Sequence, residues 1–304
     1  MNRVRSKSVL HAKQHATAAV AALLVLGGCT KPDNQAADTT AKAGAAVSTP
    51  TPAAATPNMV SFTAKEFSFE GPDTIPAGLT MIHLTAAGQQ LHHFQLIKLE
   101  EGKTFADFQA AAKDMAKGPP PAWVVPYGGV NPPAPGSTTT AMQVLEPGNY
   151  AVVCFVEGPD HVPHIAKGMM RSLTVTPSAN GNTTEPTADV TLTLSDYTFT
   201  LSKPLVAGKQ LIKVENAAAQ PHEVVLVQLA PGKTMEDLGK WASDMKGPPP
   251  GKPMGGIPAF VKGKNSFFEA DLTPGDYGLV CFVPDAKDGK PHVQHGMTTQ
   301  FKIS

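Results

Sequence analysis

From about residue 59 onward the sequence is written twice. Leu91 to Leu99 aligns with Pro221 to Leu229, and Gly102-Lys103-Thr104 with Gly232-Lys233-Thr234. Gly118-Pro119-Pro120-Pro121 aligns with Gly247-Pro248-Pro249-Pro250. Further on, Pro147-Gly148-Asn149-Tyr150 leads to Cys154-Phe155-Val156, then Pro163-His164 and Gly168-Met169. The second copy repeats this as Pro274-Gly275-Asp276-Tyr277, Cys281-Phe282-Val283, Pro291-His292 and Gly296-Met297. Self-similarity on this scale is a strong constraint, because any structure one copy adopts must also serve the other. The copies read as two domains of ordinary size, 59–177 and 187–304, with a Ser, Asn, Gly and Thr linker at 178–186.

Within each copy the pattern is mostly that of strands. Val60-Ser61-Phe62, Leu79 to Leu84 and Ala141 to Leu145 alternate or are rich in β-formers, and Gly and Pro bound them. One helix interrupts. Thr104 with Asp107, and Thr234 with Asp237, have the form of an N-cap with a first-turn carboxylate. Phe105, Phe108, Ala112 and Met115 recur at helical spacing, as do Met235, Leu238, Ala242 and Met245. The Pro triplets cannot continue a helix and mark its limit. The expected class is all-β: two tandem Greek-key β-sandwiches, each with one inserted helix.

The first 28 residues read as a targeting segment. Arg3, Arg5, Lys7 and Lys13 precede an apolar run from Ala16 to Leu26 that is too short to span a bilayer. Leu26-Gly27-Gly28-Cys29 resembles the lipobox of bacterial lipoproteins, which implies lipidation of Cys29 and anchorage at a membrane surface. Residues 29–58 are Ala, Thr, Pro, Asp and Gly with few large apolar groups, the composition of a disordered tether. The expected location is the bacterial cell envelope, on the periplasmic or extracellular face. Setting aside the four basic residues of the leader tips the balance of 25 Lys+Arg against 25 Asp+Glu to net negative. No nucleic-acid partner is expected from that charge.

Of three cysteines, Cys29 is assigned to lipid, leaving Cys154 and Cys281 at equivalent positions in the two copies. A disulfide between them would require two core sulfurs to meet, against the short reach of that bond. On the strand before each Cys, Tyr150, Val152 and Cys154 share a face, as do Tyr277, Leu279 and Cys281. Each thiol therefore points inward at a strand end, with an imidazole and a thioether on the loop that follows. Thiolate, imidazole and thioether are donor types of a copper site. His92 and His222, at the start of apolar strands, are the upstream candidates for a second imidazole.

These residues resemble the cupredoxins, the blue-copper family of plastocyanin and amicyanin, over nearly all of 59–177 and 187–304. The resemblance rests on Gly-x-Tyr-x-x-x-Cys, on Pro-His-x-x-x-Gly-Met and on the upstream His. It implies one copper per domain, held by His92, Cys154, His164 and Met169 in the first and by His222, Cys281, His292 and Met297 in the second. The sequence departs from the family in the loop: nine residues separate Cys154 from His164, and ten separate Cys281 from His292. Both insertions carry Pro, Asp and Gly, which suit a small excursion that returns the chain to register. His161 in that excursion is an alternative ligand. His83, His93 and His295 face Lys213, Glu223 and Lys167 in the other copy, so surface or supporting roles are expected of them.

The expected function is a membrane-tethered copper protein for electron transfer or copper handling, served by a redox or copper-donor protein partner. A metal-free interaction module built on the same sandwich is the alternative. A two-domain copper oxidoreductase is a further reading. Neither a His-x-His pair nor a His beside Cys154 or Cys281 is present, so the chain is expected not to be an enzyme.

Overall fold

The computed structural model describes residues 56–100, 102–115, 120–179 and 181–304. The leader, Cys29 and nearly all of the tether lie outside the described residues. Strands of the first copy are β1 (Asn58–Lys65), β2 (Ser68–Glu70), β3 (Thr74–Pro76), β4 (Gly78–Ala86), β5 (Phe94–Leu99), β6 (Val124–Val130), β7 (Thr138–Leu145), β8 (Gly148–Val153) and β9 (Met170–Thr176). Those of the second are β10 (Val190–Ser195), β11 (Thr198–Leu201), β12 (Gly208–Asn216), β13 (His222–Leu229), β14 (Gly251–Phe260), β15 (Asn265–Leu272), β16 (Gly275–Val280) and β17 (Thr298–Ile303). One helix per copy follows β5 and β13: α1 (Phe105–Ala112) and α2 (Met235–Asp244). The fold is thus an all-β sandwich with one inserted helix per copy, as the alternating patterns predict.

The strands form two sheets, each of which runs through both copies. One has the order β11-β10-β12-β15-β7-β4-β1-β2, the other β17-β16-β13-β14-β6-β5-β8-β9-β3. The copies join where β15 pairs antiparallel with β7 and where β14 meets β6. Lys264 adds an ion pair across the seam to Glu146, at 2.5 Å. The first sheet has one face on the core, and β10 accordingly alternates between buried and half-buried residues. The second sheet is covered on both faces, and β13 is buried almost throughout.

The helices provide that second cover. Phe108 packs with Ile97, Leu99, Ala151 and Val153, and Leu238 with Val225, Val227 and Val280. Each helix opens with a capping box, Thr104 with Asp107 and Thr234 with Asp237. They end earlier than the apolar spacing predicts. α1 stops at Ala112, short of Met115, and α2 stops at Asp244. Met245 there takes a left-handed conformation (φ 49°) and donates its N–H to Trp241 O, so the backbone closes before the Pro triplet is reached.

Between the sheets lies a core shared by the copies, including Phe62, Phe94, Tyr150, Phe260, Phe268 and Tyr277. Each large apolar side chain taken from water contributes roughly 1.5–3 kcal/mol. The Gly-x-Tyr turns place Tyr150 and Tyr277 there. Each hydroxyl donates to a carbonyl four residues back, Glu146 O at 2.9 Å and Thr273 O at 3.0 Å. The ring is thereby buried without stranding its O–H.

Candidate metal centres

The strand pattern fixes the direction of each thiol. Tyr150, Val152 and Cys154 belong to the shared core, while Ala151 and Val153 lie beneath α1. Cys154 follows the last residue of β8, and Cys281 the last of β16. Both are free thiols, fully buried.

The long loop then folds back onto the strand end. Glu157 bridges Pro163, Gly158 N–H donates to Val162 O at 3.1 Å, and His161 N–H donates to Gly158 O at 2.8 Å. The insertion is therefore a closed excursion. In the second copy Pro284 bridges Pro291 and Asp285 N–H donates to Lys290 O at 2.8 Å. Beyond it the copies coincide. His164 N–H donates to Val156 O and Ile165 N–H to Cys154 O; His292 and Val293 do the same to Val283 O and Cys281 O. One 3-10 turn, His164–Lys167 or His292–His295, carries the loop imidazole. Gly168 (φ 92°) and Gly296 (φ 93°) end these turns in a left-handed conformation that a side chain would strain. That reversal delivers Met169 and Met297 into the core, where their carbonyls accept from Cys154 N–H and Cys281 N–H, each at 3.2 Å.

Donor atoms converge in both copies. His92 Nδ1 lies 3.0 Å from His164 Nδ1, which lies 3.5 Å from Cys154 Sγ. The matching distances are 2.9 Å for His222 to His292 and 3.4 Å for His292 to Cys281. In each trio the donor atoms all lie within 4.8 Å of one another. All six residues, with Met169 and Met297, are fully buried. The structure thus brings together, copy by copy, the two imidazoles and the thiol that the sequence singles out.

What stands behind the imidazoles decides which nitrogen faces inward. His164 Nε2 lies 3.0 Å from Gln90 Oε1, and His222 Nε2 lies 3.1 Å from Asp196 Oδ1. An oxygen there accepts the Nε2 proton and leaves Nδ1 as a bare lone pair toward the centre. Burial pushes both loop imidazoles down to about 4, with the neighbouring imidazole adding to the effect, so they are neutral near pH 7. Burial also lowers His92 and His222. It pushes the Cys154 thiol up to about 12, and Cys281 in the same direction. Two neutral imidazole nitrogens aimed at a buried thiol form a site that a cation completes, since a cation holds the lone pairs and lowers the thiol pKa. Two His, one Cys and an adjacent Met suit copper by the chemistry of the donor set.

Other sequence candidates fall elsewhere. His161 is exposed, 3.6 Å from Glu157, and belongs to neither trio; its excursion turns it outward. His93, expected at the surface or in support, is buried and accepts the Phe155 N–H at 2.8 Å through Nε2. His295 pairs with Asp288 at 3.2 Å. Gln90, Asp196 and Asp285 escaped the sequence reading. Asp285 Oδ2 faces His292 Nε2 at 3.6 Å and accepts the Tyr197 O–H at 2.6 Å. A signal was present, since Gln90 and Gln220 occupy equivalent positions and are identical.

No protein-family model and no curated protein matches the chain. Solved structures do. A dithionite-reduced auracyanin from the photosynthetic bacterium Roseiflexus castenholzii is 23% identical over 40% of this chain and 98% of its own, with a TM-score of 0.29. A blue copper oxidase from Nitrosomonas europaea is 16% identical over 81% of this chain and 85% of its own, with a TM-score of 0.25. A copper-containing nitrite reductase from Thermus scotoductus is 11% identical over 81% of this chain and 61% of its own, with a TM-score of 0.22. The last two likenesses correct one expectation. The absence of His-x-His pairs does not make the chain a non-enzyme, because oxidases and a nitrite reductase stand among the structures it is similar to.

Proposed function

We propose that the chain is a copper protein of cupredoxin type with one copper in each copy, working in single-electron transfer or copper handling. The observation that carries this reading is the convergence, twice over, of two buried imidazole nitrogens 2.9 to 3.0 Å apart with a buried thiol 3.4 to 3.5 Å from the loop nitrogen. His92, Cys154, His164 and Met169 would hold the first ion; His222, Cys281, His292 and Met297 would hold the second. Copper bound there would supply a centre able to alternate between two oxidation states.

The chain's own residues do the rest. The loop excursions and the core side chains exclude water from the donors. Gln90 and Asp196 hold protons on the outer nitrogens and keep the inner ones free. The Gly168 and Gly296 turns fix the loop imidazoles relative to the thiols, which limits the rearrangement that accompanies a change of charge. Lipidation of Cys29 would hold this unit at a bacterial envelope membrane, within reach of a redox or copper-donor protein. Mass spectrometry of Cys29 from a native membrane fraction tests the anchor.

The metal reading is tested by titrating the metal-free full chain with Cu(II). Two equivalents should bind and develop an intense thiolate-to-copper colour. Failure to take up copper, or colourless binding retained in the Cys154→Ser, Cys281→Ser double variant, would falsify it and favour a metal-free module.

A further inference from the structure

A buried polar seam connects the two centres, and it rests on side chains that the copper sites themselves do not use. His93 directly follows His92, and its Nε2 accepts the N–H of Phe155, the residue after Cys154, at 2.8 Å. Glu223 directly follows His222, and its Oε1 accepts the N–H of Phe282, the residue after Cys281, also at 2.8 Å. Each copy therefore ties the residue after its upstream His to the residue after its Cys. Between the two ties sits Asn131. The β5–β6 register, which pairs Phe94 with Val130, sets Asn131 opposite His93. Asn131 Nδ2 donates to Val224 O at 2.8 Å, and its backbone N–H donates to Gly256 O at 3.0 Å. His93 and Glu223 are 7% exposed and Asn131 is fully buried.

The bond to Val224 O accounts for only one end of the Asn131 carboxamide. Its Oδ1 has no hydrogen-bond partner, an omission worth about 1–3 kcal/mol in a buried group. The equivalent residue in the second copy is Pro258, so the carboxamide is not something the duplicated fold demands. Close approach of the chains brings it into place. A Cβ on Gly256 would stand 2.1 Å from Val224 O, so glycine there lets β14 and β13 come together beside the seam. With one end satisfied and the other not, the carboxamide stands between the two ties.

We propose that Cys154-Phe155, His93, Asn131, Glu223 and Phe282-Cys281 form the route by which one electron passes between the two centres. The inference rests on the copper reading given above. In the step, a reduced centre gives up one electron and is oxidised while its oxidised counterpart accepts it and is reduced; no bond forms or breaks and no proton leaves. Asn131 acts as a positioning residue, standing between the two hydrogen-bonded ties.

The test uses the full chain loaded with two coppers and a flash-generated one-electron reductant at less than one equivalent. Redistribution of the electron should appear as a first-order phase whose rate is independent of protein concentration and which Cys281→Ser abolishes. Asn131→Leu should slow that phase by at least about tenfold while both coppers stay bound and coloured. If the two colours overlap, Met297→Gln shifts one of them without touching the seam. If Asn131→Leu does not fold, Asn131→Ser gives the same reading with a smaller group. Two bound coppers with no concentration-independent phase, or an unaltered rate in the Asn131 variant, overturn the proposal and leave the copper reading standing. A chain that binds no copper overturns both, and metal content separates that outcome from the others.

Discussion

At the first centre the loop imidazole of His164 leans on a neutral carboxamide, Gln90, while the outer nitrogen of His92 has no hydrogen-bond partner. At the second, His222 and His292 face the carboxylates of Asp196 and Asp285. Two small sequence differences produce this. Glu66 occupies the place of Asp196, and its extra methylene carries the carboxylate to the N–H groups of Gln89 and Gln90 instead of to His92. Gly158 occupies the place of Asp285, where a Cβ would stand 2.8 Å from Gln90 Oε1, so Gln90 fills the space that Asp285 takes in the second copy. A cation, Lys167, also lies near the first centre, where the second has His295. The donors have been held constant while the charge around them diverged. A pair of centres equal in coordination and unequal in potential is the expected consequence.

The largest effects should come from the donors. Cys154→Ser should remove the first copper and leave the second, and Cys281→Ser the reverse. Each should weaken its own site by more than the ten- to hundredfold typical of changes outside the ligand set. Metal analysis of the single variants shows whether the centres are independent; loss of both coppers from either variant would break the comparison.

Next come the buried residues that differ between the copies, His93 and Glu223. Burial pushes the Glu223 carboxyl up to about 7. Its contribution to metal-free stability is fully present below the ordinary carboxylate range and is lost as pH rises through about 7. Burial pushes His93 down to about 3. Its contribution is present above the ordinary imidazole range and is lost as pH falls toward 3. Thermal unfolding of the metal-free chain across pH should show Glu223→Gln flattening the upper limb and His93→Gln part of the lower. The effects are bounded at roughly 3 kcal/mol for Glu223 and roughly 5 kcal/mol for His93. Variants that run parallel to the parent at every pH would show that these groups titrate as freely as exposed ones.

Asp285→Asn tests the charge difference itself. Tyr197 and the loop backbone hold the Asp285 carboxyl well below its usual range, so it is charged at neutral pH. Its loss should raise the potential of the second centre by on the order of 60 mV, about tenfold in the oxidised-to-reduced ratio. Redox titration of each colour reads the shift; a movement of the first centre instead would reverse the assignment. The smallest change, Glu66→Asp, should move the first centre toward the second by roughly 20 mV, about twofold. It does so by returning a carboxylate to the reach of His92, and no movement at all would mean that charge there is screened by solvent.

Much of this was legible in the chain. The period-2 alternation before Cys154 and Cys281 gives the direction of both thiols, and Pro-His-x-x-x-Gly-Met gives the turn that presents imidazole and thioether. Both depend on local geometry, which a short sequence encodes directly. The helix ends were less legible, because Met245 closes α2 through a left-handed backbone that its side chain does not announce. The partners of the imidazoles were illegible for another reason. Asp196 and Asp285 reach the second centre from a turn and from a loop excursion far apart in sequence, and only the fold brings them to its rim. Asn131 is the extreme case, a residue with no counterpart in the other copy, whose surroundings come from both.

The pairing of β6 with β14 and of β7 with β15 has a consequence for any attempt to study one copy by itself. Cutting the chain between residues 178 and 186 would bare four strand edges at once, each lined with unpaired amide and carbonyl groups. Halves made in this way would be sticky before they were informative, and their natural remedy would be to find each other again.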